Sequence, residues 1–289
     1  MECNQVDTWI RDNEADFKPP VCNKCMFNEQ LTVFLVGGPN QREDYHIEEG
    51  EEFFYQIKGD MCLKVIEQGK PKDVHIKEGE VFLLPARVQH SPQRFANTVG
   101  LVIERRRNAK ELDCVRYFFK DSEGTLQPLY ERFFHLNDIV KDLPPLIKAF
   151  MESDAKKTGQ PTGDSVDLSK RAYDADKTTI LMKPFAINDW LINNAEALKK
   201  SAIPLFDTSK FKTAVTVYGS GSHDVESATS ETFLWSVAGD CQVKIENQNQ
   251  SVVTANSFCK VEPNKRMTLT VAENRYCLTL RMPTPPLPS

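Results

Sequence analysis

Glu51-Glu52-Phe53-Phe54-Tyr55-Gln56-Ile57-Lys58-Gly59-Asp60-Met61-Cys62-Leu63-Lys64-Val65 reads as two strands joined by a tight turn. Apolar and aromatic residues fill both arms, and Lys58-Gly59-Asp60 supplies turn chemistry between them. The pattern returns without a gap at Glu231-Thr232-Phe233-Leu234-Trp235-Ser236-Val237-Ala238-Gly239-Asp240-Cys241-Gln242-Val243-Lys244-Ile245. A strand, Gly-Asp, strand unit present twice in one chain implies a duplicated sheet domain. The pairing sets Glu226 at the place of His46 and Thr232 at the place of Glu52. Farther on, Val261-Glu262-Pro263 falls over Leu83-Leu84-Pro85, which sets Thr268 near His90. The second copy keeps the strands and loses the groups that could bind a metal.

Outward from the first unit, further strands are expected at residues 31–36, 73–76, 81–84, 99–104 and 115–119, punctuated by Gly, Asp and Asn turns. Short strands so spaced predict an antiparallel sandwich or barrel. The middle differs. Residues 137–150 carry apolar side chains at helical spacing, interrupted by Pro144-Pro145, and predict one or two short helices. Residues 152–170 are polar, with Gly159, Pro161 and Gly163, and read as a linker. Another helix is expected over 188–200, with Asp189 as its N-cap. The fold class is all-β with a few helices: a domain over 1–160, a linker over 161–177 and a second domain over 178–289.

The chain has 289 residues, 40% hydrophobic and 27% charged, enough for two domains with separate cores. Its net charge of −5 argues against broad attraction to nucleic acid or anionic membrane. No apolar run approaches a membrane span, and the acidic, polar start Met1–Asp7 lacks the marks of a targeting segment. The eight scattered cysteines therefore read as reduced cytosolic thiols. Cys22 and Cys25 have metal or redox spacing. No second pair completes a zinc knuckle, and Pro19-Pro20 stands where a redox helix would need other company. Arg105-Arg106-Arg107 reads as a partly solvated strand end, and His75, His135 and His223 as ordinary core or surface groups. The tail, residues 282–289, reads as a loosely ordered proline-rich end.

The chemistry concentrates in His46, Glu52 and His90. Two imidazoles and one carboxylate are the ligand set of non-haem Fe(II) sites that keep open positions. In extended chain, side chains two apart share a face. Arg42, Asp44 and His46 share a parity, as do His90, Pro92 and Arg94, and Val102 and Glu104. If those stretches are strands, His46 and His90 face one hollow with Arg42, Arg94 and Glu104. A bulge at Pro92 would upset the alternation.

The stretches 38–46, 51–56, 82–85, 90–94 and 102–105 together resemble the 3-hydroxyanthranilate 3,4-dioxygenase family of cupin enzymes. The likeness is strongest over residues 6–120. The remainder is similar to the long, animal-type form, in which a second, metal-free cupin follows the first. The resemblance implies two cupin (jelly-roll β-barrel) domains and one metal. It implies Fe(II) held by His46, Glu52 and His90, and ring opening of 3-hydroxyanthranilate by O2 to 2-amino-3-carboxymuconate semialdehyde. That product leads to quinolinate and NAD. Arg94 would take the substrate carboxylate and Glu104 a substrate proton; Arg42 would face dioxygen, and Glu52 would touch substrate as well as metal. Asn23 and Phe54 would line the pocket. A monomer in the cytosol is expected. Two other readings stand beside this one: a different cupin metalloenzyme with the same ligands, and a non-catalytic bicupin that binds a small molecule.

Overall fold

A computed structural model describes residues 1–19, 22–226 and 228–283. The proline-rich tail beyond 283, and Pro20 of the Pro19-Pro20 pair, lie outside the described residues. The chain forms two antiparallel barrels. The first pairs a six-stranded sheet, ordered Phe185–Ala186, Glu80–Leu84, Glu52–Lys58, Val99–Arg105, Leu31–Gly37, Asn23–Asn28, with a second six-stranded sheet. That one runs Leu126–Phe134, Asp113–Lys120, Tyr45–Ile47, His90–Arg94, Met61–Glu67, Lys70–Ile76. The second barrel has a six-stranded and a four-stranded sheet, and its six strands include Glu2–Gln5 at one edge. The barrels thus exchange strands: residues 2–5 pair in the second, and residues 185–186 pair in the first.

The sheet holding Glu52–Lys58 is buried on both faces, which explains its unbroken apolar runs. Phe54, Phe82, Leu84 and Val102 point into the first barrel. Their neighbours Phe53, Leu83, Leu101 and Ile103 point the other way, into a core shared with Phe233, Trp235, Phe258 and Leu278 of the second barrel. Tyr55 and Trp235 meet across it with ring centroids 4.5 Å apart. A barrel that would need a partner on that face finds it in its own chain.

Several local expectations change. Residues 139–152 form a single helix, Ile139–Glu152, with both prolines inside it. Its Leu143 and Phe150 are buried against Tyr117 and Tyr130, and Phe150 stacks on Tyr117 at 3.5 Å between centroids. Packing of that face outweighs the amide donors the prolines lack. The expected linker contains a short helix, Asp154–Thr158, capped by Ser153 and closed by Gly159 at φ 69°. The helix expected over 188–200 is two short ones, Ile187–Asn193 and Ala195–Leu198; Asp189 lies in the first turn, and Ala186 occupies the cap.

The cysteines also need correction. Cys3 and Cys259 stand directly opposite on paired strands and form a disulfide, though 256 residues apart in sequence. The pairing of the first strand with the second barrel creates this contact, and nothing local announces it. The other six are free. The unfolded, unreduced chain is therefore expected to show six reactive thiols, rising to eight after reduction. Eight before reduction would contradict the bond.

Candidate metal centre

His46 lies on Tyr45–Ile47, His90 on His90–Arg94 and Glu52 at the start of Glu52–Lys58, so the three come from both sheets of the first barrel. His46 and His90 are register partners, and Glu52 faces them across the interior. One donor atom from each lies within 4.8 Å of the other two, and all three residues are buried.

The hydrogen bonds of the two rings decide which nitrogens are bare. His90 Nδ1 faces the Val88 carbonyl at 2.9 Å. A carbonyl only accepts, so Nδ1 carries the hydrogen and Nε2 presents a lone pair. His46 Nε2 faces Asp113 Oδ2 at 2.7 Å. Arg107 chiefly offsets Asp113's own burial and holds its carboxyl down at about 2; the ionised group accepts from Nε2 and leaves Nδ1 bare. Bare His90 Nε2 then stands 2.8 Å from Glu52 Oε1, and that oxygen has no hydrogen-bond partner although it is fully buried. Two lone pairs aimed at one point repel unless a cation lies between them. Burial pushes the His90 imidazole down and the Glu52 carboxyl up. A divalent cation would favour the bare nitrogen and the ionised carboxylate together. The donor set fits a metal with open positions.

Beside the donors is a cavity of about 110 Å³, lined by residues that include Arg42, Phe54, Arg94, Val102 and Glu104. The alternation holds along three strands: Glu52 and Phe54; His90, Pro92 and Arg94; Val102 and Glu104. Arg42 and Asp44 instead precede the strand Tyr45–Ile47, and of the two only Arg42 lines the cavity. Pro92 keeps its place opposite Leu63, so no bulge interrupts the strand. The two arginines differ. Arg42 is forked onto Asp44 (Nε–Oδ1 3.1 Å). Arg94 has no carboxylate partner among the described residues; its Nη1 reaches only Gln56 Oε1, at 3.4 Å. Burial lowers Arg94 to about 10, so it remains charged near neutrality. A buried guanidinium beside an empty cavity wall is suited to an incoming carboxylate.

The model for "3-hydroxyanthranilic acid dioxygenase" matches residues 1–151. The chain belongs to that family. It is 46% identical to the 3-hydroxyanthranilate 3,4-dioxygenase of Caenorhabditis elegans, over 96% of this chain and 97% of that one. It is 47% identical to the Xenopus tropicalis enzyme of the same name (84% and 85%), and 46% identical to that of Rattus norvegicus (85% and 84%). Among solved structures, a cupin 2 conserved barrel domain protein from Leptotrichia buccalis covers 98% of the chain and is itself covered to 96%. Its TM-score is 0.50 at 10% identity, and it shares the fold.

In this member of the 3-hydroxyanthranilic acid dioxygenase family, several residues at the site were not singled out from sequence. Arg107 is the chief one. Its side chain is 5% exposed, so it is no solvated strand end. It reaches Glu48 Oε2 at 2.5 Å, Glu104 Oε1 at 2.9 Å and Asp113 Oδ2 at 2.7 Å. Glu48, Glu52 and Glu104 have oxygens within 4.8 Å of one another, so one guanidinium neutralises a wall of buried acids. Through Asp113 it also orients His46, the outer support that metal-binding imidazoles commonly have. Gly100 is another. A Cβ there would fall 2.4 Å from Arg94 Nη1 and 2.6 Å from Gln56 Oε1. A lone glycine in the run Val99-Gly100-Leu101 was the available signal of such close approach. Ile139 enters the lining from the long helix, and no strand pattern could have placed it. Asn23 and Phe54, which the resemblance had put in the pocket lining, both line the cavity.

The second barrel corrects the sequence pairing by one residue at two places. Val65 faces His90, whereas Ile245 faces Met267; Met267 in turn faces Val225 as His90 faces His46. The counterparts of the two histidines are therefore Met267 and Val225, not Thr268 and Glu226. Thr232 does hold the place of Glu52: it pairs with Val261 as Glu52 pairs with Leu84. Val225 and Met267 are packed into the apolar core of that barrel.

Proposed function

We propose that this chain is a ring-opening dioxygenase. It converts 3-hydroxyanthranilate and O2 to 2-amino-3-carboxymuconate semialdehyde, which cyclises to quinolinate, a precursor of NAD. The observation that carries this reading is the bare His90 Nε2 against an unpartnered Glu52 oxygen, in one cavity with an unpaired Arg94. His46 Nδ1, Glu52 and His90 Nε2 hold Fe(II). When bound there, Fe(II) would supply electron transfer between an electron-rich ring and dioxygen, which no side chain can provide.

The side chains bind, orient and move protons. Arg94 pairs with the substrate carboxylate and so fixes the ring's direction in the cavity. Glu104, steadied by Arg107, accepts the proton of the ring hydroxyl as that group ionises. Arg42, held by Asp44, keeps positive charge on the side where dioxygen gains negative charge. Glu52 touches substrate as well as metal. The carbon–carbon bond between the hydroxyl- and carboxylate-bearing ring carbons breaks, and both oxygen atoms end in the product. The second barrel binds no metal, because Val225 and Met267 offer it neither imidazole nor carboxylate. It instead covers a face of the first barrel, and the chain works as a monomer. The site of action is the cytosol.

Oxygen uptake by iron-loaded protein with 3-hydroxyanthranilate, followed by semialdehyde absorbance, tests the reading. One iron per chain with no uptake above the uncatalysed rate would end it. Within the same assay, Arg94→Ala is expected to keep its iron and lose kcat/KM by about tenfold to a hundredfold. That corresponds to a charge-assisted hydrogen bond of about 1.5–3 kcal/mol. An unchanged KM and rate would remove Arg94 from substrate binding.

A further inference from the structure

On the outer face of the first barrel, three metal-binding side chains stand together that the catalytic centre does not use. Cys62 on Met61–Glu67 is the direct register partner of His75 on Lys70–Ile76. Asp73 lies two residues from His75 and so presents its side chain on the same face. Directly opposed residues of neighbouring strands hold their Cβ atoms about 4.5–5.5 Å apart, close enough for their heads to share an ion. One donor atom from each of Cys62, Asp73 and His75 lies within 4.8 Å of the other two. A tetrahedral zinc ion with ordinary Zn–S, Zn–N and Zn–O bonds sets its donors roughly 3.5 Å apart, within reach of small rotamer changes.

The rest of the surroundings leave these groups uncommitted. Among the described residues, neither the Asp73 nor the His75 side chain has a hydrogen bond or ion pair to any group outside the trio. Lys64 faces Asp73 across the ladder, yet no ion pair joins them. Cys62 is 6% exposed, so its sulfur is sheltered while Asp73 and His75 stay open to solvent. A charged surface pair alone would be ordinary polar covering of an edge strand. A sheltered thiol set between an imidazole and a carboxylate is a different chemistry.

We propose that Cys62, Asp73 and His75 form a second metal site, selective for a zinc-class divalent ion. Thiolate, imidazole and carboxylate together suit a borderline ion, whereas magnesium and calcium avoid sulfur. The thiol gives up its proton to solvent as the sulfur takes the metal, with no change of oxidation state. Water completes the coordination. The ion clamps the edge strand Lys70–Ile76 to Met61–Glu67. It lies behind the sheet whose inner side carries His90 and Arg94: Cys62 is opposite Gln93, the neighbour that faces away from the cavity. The site is therefore separate from the catalytic cavity.

The test uses the iron-loaded full chain titrated anaerobically with Co2+, a spectroscopic stand-in for zinc. A sulfur-to-cobalt charge-transfer band in the near ultraviolet should grow and saturate at one equivalent, with bound iron unchanged by mass spectrometry. His46, Glu52 and His90 contain no sulfur, so the catalytic centre cannot produce that band. Cys62→Ser should abolish it while iron content and turnover stay at the parent level; His75→Ala should weaken binding. After exposure to Zn2+ and dialysis, the parent should retain one zinc beyond its iron, and Cys62→Ser none. Absence of the band, or a band that persists in Cys62→Ser and so arises from another cysteine, would overturn the proposal.

Discussion

His46→Ala is expected to yield a folded chain that holds no iron and turns over no substrate. The substitution removes one of three donors, and two are too few to hold a ferrous ion against water. The fold should survive, because Asp113 keeps its two contacts with Arg107, at 2.9 Å through Nε and 2.7 Å through Nη2. Iron measured by mass spectrometry after gel filtration, with circular dichroism as the control for folding, decides the matter. His75→Ala serves as comparison: it should keep the catalytic iron, since His75 lies on the outer face of another strand. Full iron content in the His46 variant would take that residue out of the ligand set and with it the catalytic reading of the cavity.

Arg107→Leu should produce the largest loss of stability of any single change near the site. The guanidinium contacts Glu48, Glu104 and Asp113, all buried. Removing it takes the counter-charge from Glu104 and Asp113 in a dry interior, and from a Glu48 carboxyl that burial already pushes well up. Breaking a buried ion pair by deleting one partner typically costs about 3–5 kcal/mol. Three partners on one cation put the expectation at the upper end of that range. Arg107→Lys should recover only part of the loss, because a single ammonium cannot fork to three carboxylates. Urea unfolding of metal-free protein gives the comparison without the contribution of bound iron. An unfolding free energy within about 1 kcal/mol of the parent would show that Arg107 is not the keystone of this wall. Turnover should fall as well, since Glu104 and His46 both depend on the same cation for their direction.

What was legible in the sequence was local in character. Alternation along a strand is a two-residue property, so Arg94 could be placed with His90 and Glu104 with Val102 before any sheet was assembled. Turn residues marked the strand ends. Two imidazoles and one carboxylate brought the ligand types into view, and the resemblance to a known family singled out His46, Glu52 and His90. The unbroken runs Phe53-Phe54 and Leu83-Leu84 signalled burial, though not that one face would pack against the chain's own second barrel.

The sequence by itself determined most of the strands and the inward faces of the first barrel, because those follow from neighbours one or two residues away; it named the candidate donors only through their chemistry and a family resemblance. Tertiary structure alone decided which strands lie side by side. That choice buried Arg107 under three acids and joined Cys3 to Cys259. It brought Ile139 to the cavity and set Met267 rather than Thr268 opposite Ile245. A loop one residue longer or shorter leaves each strand's pattern intact and moves its register by a step. Long-range packing, which no local pattern records, selects the step that fills the core.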